Sequence, residues 1–140
     1  MEYILNETPL KTTKGFKINN IKVDLDIPKK LEFHDYEVLN SENITIDESV
    51  KKKFKSSIGL ENEVYKNIEI NVPNNFNSDL PLFINYDFIN NDALIDNIII
   101  NLKNSSNINI IIKYISKDDS YHFHNGKLLV NAENGSSVNV

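Results

Sequence analysis

His122 and His124 are the residues best spaced for chemistry: two positions apart in a strand-like segment, their imidazoles would leave one face and could share a metal ion. A stable site needs a third or fourth ligand, and only Asp118, Asp119 or the distant His34 could be recruited. The competing reading is of ordinary surface or stacking histidines. The chain has no cysteine, so it can form neither a disulfide nor a thiolate metal site, and by itself it cannot hold a Cys-ligated iron-sulfur cluster. No serine sits in a G-x-S-x-G elbow, which leaves a nucleophilic triad without its usual frame. Gly15, Gly59, Gly126 and Gly135 are isolated, so neither a P-loop nor a dinucleotide turn can form, and ATP would have to bind a partner. Lys51, Lys52, Lys53 and Lys55 could form an anion or nucleic-acid surface, but they better suit the solvated face and C-terminal half of a helix. Asp118 and Asp119, flanked by Ser116 and Ser120, suit a loop with local hydrogen bonds better than an acid-base pair. No catalytic, cofactor-binding or metal-binding residue is therefore assigned, and the chain reads as a non-enzyme.

A net charge of -5 opposes general affinity for nucleic-acid backbones, which takes a surplus of Lys and Arg on one face. Residues 1–10 lack the basic start and apolar core of a signal peptide. No run approaches the roughly 18 apolar residues that span a bilayer. A cytoplasmic protein with no membrane partner is expected. At 140 residues, the length suits a single domain.

The elements that would position these residues are mostly strands. Residues 1–44 carry short alternating pieces, Phe16–Ile18 and Ile21–Leu25, ended by Ile27-Pro28; extended arms and turns are expected there. Residues 31–39 fit neither a helical nor a two-residue period. One helix is expected over 47–57, with Val50, Phe54 and Ile58 on one face, Thr45 and Glu48 spaced as a capping box, and Gly59 as its stop. After it, 68–72 and 81–88 alternate as strands. The runs at 98–100 and 108–112 are rich enough in isoleucine to suggest strands covered on both faces.

The chain also matches itself without gaps at an offset of 30: Ile98–Ile110 aligns with Leu128–Val140. Asn101/Asn131, Asn104/Asn134, Ser106/Ser136 and Asn109/Asn139 are identical, and the apolar positions recur. One layer of a solenoid explains this, with equivalent strands stacked in parallel and equivalent asparagines able to form ladders. Coincidence, or two unrelated hairpins using the Asn134-Gly135 turn, explains it too. The second copy stops at Val140, short of its partner's Ile111 and Ile112, so a truncated protein is expected, self-associating end to end through its exposed C-terminal strand edge.

The order of NITIDESVKKKFKSSIG (43–59), IEINVPNNFNSDLPLFINY (68–86), LIDNIIINLKNSSNINIIIKYIS (94–116) and FHNGKLLVNAENGSSVNV (123–140) resembles the SufB/SufD family of iron-sulfur cluster assembly proteins. The resemblance covers roughly residues 43–140, and its most telling pieces are Val72-Pro73 followed by Pro81-Leu82, Lys113-Tyr114-Ile115-Ser116, and Phe123-His124-Asn125-Gly126. It implies a mainly β chain. Residues 1–60 would be a small α+β arm with one helix, and 61–140 the first layers of a truncated right-handed parallel β-helix, together one structural domain. It further implies a scaffold subunit of a SufBCD-like complex, acting through contacts with a SufC-like ATPase and a SufB- or SufD-like sister subunit. The lack of cysteine leans towards SufD. The family's ATPase contact and cluster-receiving residues lie in a C-terminal half that has no counterpart here, so no ligand position carries over and no cofactor is expected in this segment.

Two other readings compete. A metal-dependent, cupin-like β-sandwich enzyme or small-ligand binder would use His122 and His124, although the glutamate expected soon after such a pair is missing, the next being Glu133. An adhesive solenoid would also stack strands, but it would usually carry an export signal.

Overall fold

The computed structural model describes residues 2–5, 21–28, 31–33, 36–56 and 60–140, and the described residues are mainly β with no helix. The strands are β1 (Glu2–Leu5), β2 (Ile21–Asp24), β3 (Tyr36–Leu39), β4 (Thr45–Lys55), β5 (Glu61–Val72), β6 (Leu82–Phe88), β7 (Ala93–Leu102), β8 (Asn107–Ser116), β9 (Phe123–Ala132) and β10 (Ser137–Asn139). The first two make an antiparallel pair. The others build two mixed four-stranded sheets, ordered β4-β5-β7-β9 and β10-β8-β6-β3.

Same-direction pairing at a fixed spacing organises the first of these sheets. β5 lies parallel to β7 with Ile68 opposite Ile98, and β7 lies parallel to β9 with Ile98 opposite Leu128. The 30-residue offset seen in the sequence is thus the pairing register, and it reaches one step further back than the self-match, to β5. In the second sheet Val138 of β10 stands opposite Ile108 at the same offset, while β6 and β8 pair at 28, Leu82 against Ile110. Because partners in a parallel pair project to the same face, Ile68, Ile70 and Val72 stack with Ile98, Ile100 and Leu102. They meet Leu82, Ile84, Tyr86, Ile108 and Ile110 from the other sheet in one dry core. Each fully buried aliphatic side chain contributes about 1.5–3 kcal/mol of transfer free energy, and this term holds the sheets together.

The turns repeat as well. Asn75, Ser105 and Gly135, thirty residues apart, all adopt left-handed backbone with φ of 57°, 57° and 70°. The Asn75 N–H donates to the Asn104 carbonyl and the Ser105 N–H to the Asn134 carbonyl, each at 3.0 Å, so successive turns are hydrogen-bonded to one another.

The helix expected over 47–57 is not formed. Residues 45–55 are β4, paired antiparallel with β5 from Thr45–Asn71 to Lys55–Glu61; Ile58 and Gly59 lie outside the described residues. An eleven-residue helix is marginal in water, whereas the long β5 strand offers a full row of backbone partners. The capping-box residues serve differently: Glu48 receives the Tyr36 hydroxyl and the Lys66 ammonium. Val50, expected to face a core, is 70% exposed, while Phe54 is buried against Ala93, Ile95 and Phe123. Lys53 takes a left-handed φ of 65°, which interrupts this outer strand.

The isoleucine runs are not covered on both faces throughout. β8 alternates buried and exposed, leaving Ile111 and Ile115 open to solvent. Of the N-terminal pieces, 21–25 contains β2, Phe16–Ile18 lies outside the described residues, and Leu31 and Phe33 pack on the core beside the Glu32–Ala93 bridge.

Candidate docking site at the open end of the stack

β9 and β10 are the last strands of their sheets, and each has a neighbour on one side only among the described residues. Among the described residues no further layer lies over their inward side chains: Leu128 stands beside Ile98 and Val130 beside Ile100, yet both are about half exposed. Tyr114, Leu129 and Ile115 widen the exposed apolar surface at this end. An open strand edge beside uncovered apolar side chains is the combination that a further strand covers, whether of this chain or of another.

Three side-chain columns cross the strands, and two of them reach this end. Asn71 donates to Asp47 Oδ2 at 3.1 Å, Asn101 to Asn71 Oδ1 at 2.9 Å, and Asn131 to Asn101 Oδ1 at 2.8 Å. A second column has Asn97 donating to Asn67 and Asn67 to Glu69. In the other sheet Ser137 donates to Asn107 at 2.9 Å, and Asn107 to Asn77.

Inside this end lies a polar pocket within the core. Asp96 is 1% exposed, with Oδ1 at 3.2 Å from His124 Nε2 and Oδ2 without a partner among the described residues. Gly126 stands opposite Asp96 in the register, and a Cβ there would come within 2.4 Å of Asp96 Oδ1 and 2.8 Å of His124 Nε2. Only glycine leaves room for the pair. The imidazole of His124 stacks on Tyr114 at 4.1 Å; Tyr114 stacks on Tyr86, and Tyr86 on Tyr36, at 5.1 Å each. Lys66 closes the far end, 4.0 Å above the Tyr36 ring and 2.9 Å from Glu48. The Tyr86 hydroxyl is buried and unpartnered among the described residues, and burial, reinforced by the Asp96 carboxylate, holds its phenol far above the ordinary range. Tyr114 is raised for the same two reasons.

The two histidines singled out by spacing do not converge. His122 Nε2 faces Asp118 Oδ1 at 2.9 Å with its ring against Phe88, whereas His124 turns to Asp96. Asp118 accepts from the Ser120 hydroxyl and from the N–H groups of Asn90 and Ser120, and these bonds, the hydroxyl first, keep its carboxyl well below the usual range. It therefore ties the loop at 117–122 to the loop at 89–92. No group of three His, Asp or Glu side chains able to hold a metal occurs among the described residues, which do not include His34. Lys51 and Lys55 of the lysine cluster pair with Glu69 and Glu61 across β4 and β5. Asp96 and Tyr86 were not singled out from the sequence, and Gly126 only within the Phe123-His124-Asn125-Gly126 match. The available signal was parity: Asp96 is the one acid among the inward-facing positions 94, 96, 98, 100 and 102.

Comparison of this chain with family models, with curated proteins and with solved structures finds no match.

Proposed function

We propose that this chain is a scaffold without chemistry of its own, formed by layers of a right-handed parallel β-helix and acting through contacts with other proteins. The observation that carries this reading is the 30-residue parallel register from β5 through β7 to β9, with Ile68, Ile98 and Leu128 in one column. The right hand follows from the general preference of parallel crossovers. The specific form of the proposal comes from the SufB/SufD resemblance: a SufD-like subunit of a cytoplasmic iron-sulfur cluster assembly complex, in contact with a SufC-like ATPase and a sister subunit. Affinity isolation of the tagged protein from its native cells tests it. Co-purification of an ABC-type ATPase in stoichiometric amount is the expected result, and repeated isolation without one overturns the assembly role. The metal-dependent alternative gains no support from His122 and His124, which address separate carboxylates.

A further inference from the structure

The outer face of the second sheet lies along the side of the stack, not at its end, so a further layer on β9 and β10 would leave it as it is. On β3, β6 and β8 the side chains pointing away from the core fall into rows fixed by the pairing register. Leu39, Phe83 and Ile111 form one row, and Glu37, Asn85 and Lys113 form the next. The first is an apolar bar across three strands, about 10 Å from end to end. Leu39 is 42% and Ile111 40% exposed, with Phe83 half-buried between them. Ile115, also exposed, stands on the same face beyond Lys113. Apolar side chains gathered on one sheet face are what a second sheet covers.

The charges of the second row say what that covering sheet is. Glu37 accepts from the Asn85 amide at 3.2 Å, and Lys113 Nζ lies 4.9 Å from the centre of the Phe83 ring. Neither has an ion-pair partner among the described residues. Asn85 stands between them and keeps them two strands, about 10 Å, apart. Opposite charges at the two ends of one row complement a second copy of the same row. A two-fold axis along β6, between two facing copies, reverses the order of the strands and keeps each position at its height. It sets Glu37 against Lys113 of the other copy twice over, Leu39 against Ile111, and Phe83 against its own counterpart. Asp87 also meets its counterpart, and each is already neutralised by its own Lys117 at 3.3 Å. We propose that two copies of this chain pair through this face, sheet against sheet, with the crossed Glu37 and Lys113 contacts setting the alignment. Such a contact uses the same patch on both copies and therefore closes at two. A face three strands wide is small beside the roughly 800 Å² per partner of a standard interface, so the pair should dissociate on dilution.

Sedimentation equilibrium of the full 140-residue chain tests this. The unchanged chain should show a monomer–dimer equilibrium that stops at two. Lys113→Glu sets carboxylates against one another across the axis, and Glu37→Lys does the same with ammonium groups. Each should weaken pairing about tenfold or more. An equimolar mixture of the two variants should pair again, because each then supplies the charge that the other lacks. That recovery separates a lost contact from a misfolded variant. A chain that stays monomeric up to about 1 mM overturns the proposal. Pairing of undiminished strength in both variants, or an open-ended series of oligomers indifferent to them, also overturns it by placing association elsewhere, such as the β9 edge. A mixture that fails to pair, when each variant keeps the thermal midpoint of the unchanged chain, overturns the crossed alignment.

Discussion

Tyr86 carries a buried hydroxyl that bonds to nothing among the described residues, and its neighbour Asp96 has a buried oxygen in the same condition. Leaving such a group unpaired costs on the order of 1–3 kcal/mol. Tyr86→Phe, which keeps the ring stack, is therefore expected to raise stability by about 1 kcal/mol in urea unfolding. The same substitution should change the alkaline limb. A phenol held above its unfolded value contributes stability that is complete below about pH 10 and is lost as pH rises further, because only the unfolded chain then ionises readily. The loss of stability above pH 10 should be shallower in Tyr86→Phe, with phenolate absorbance reporting the ionisation. Gly126 makes the opposite case. Gly126→Ala drives a methyl against Asp96 and His124, and it should cost about 1–3 kcal/mol, whereas alanine at a glycine with open surroundings would be nearly neutral.

Among the elements, the turns have the most regular chemistry. Asn75, Ser105 and Gly135 share one left-handed conformation, and serine suits it least. Ser105→Gly should stabilise the chain by about 0.5–1 kcal/mol, read as a higher thermal midpoint with the fold unchanged. The repeat of these turns was legible in the sequence because Asn104/Asn134 and Ser106/Ser136 recur as identities at a constant spacing. The β5 layer was equally legible, since Asn67/Asn97, Ile68/Ile98, Ile70/Ile100 and Asn71/Asn101 recur at the same offset; only β6 falls out of step, pairing with β8 at 28, Leu82 against Ile110. Residues 45–55 misled for a different reason. Val50, Phe54 and Ile58 have helical spacing, but Thr45, Ile46, Val50 and Phe54 also suit a strand, and the choice was made by β5, whose Asn71 is the partner of the distant Thr45. Asp96 was hidden for want of a motif, since a lone acid in an isoleucine run becomes informative only once the inward parity is known.

At the scale of the whole molecule, the stack should not be uniformly stable. Among the described residues, β5 and β7 have partners on both sides and bury their inward isoleucines, whereas β9 and β10 have one partner each and leave Leu128 and Val130 about half open. Hydrogen exchange should therefore be slowest along Ile68–Val72 and Ile98–Leu102 and fastest, among the parallel strands, at β9 and β10. Equal rates across the four would show that the chain opens only as a unit. The constant advance between β7 and β9 has one more consequence. Every position from Ala93 to Leu102 meets its counterpart after the same length of chain, so the segment from Lys103 to Ala132 behaves as an interchangeable module. Inserting a tandem second copy of it after Ala132 should lengthen the protein without disturbing the residues before it, and circular dichroism should then report added β-signal in proportion to the added length. A lineage could extend or shorten such a chain by in-frame duplication or deletion, one module at a time.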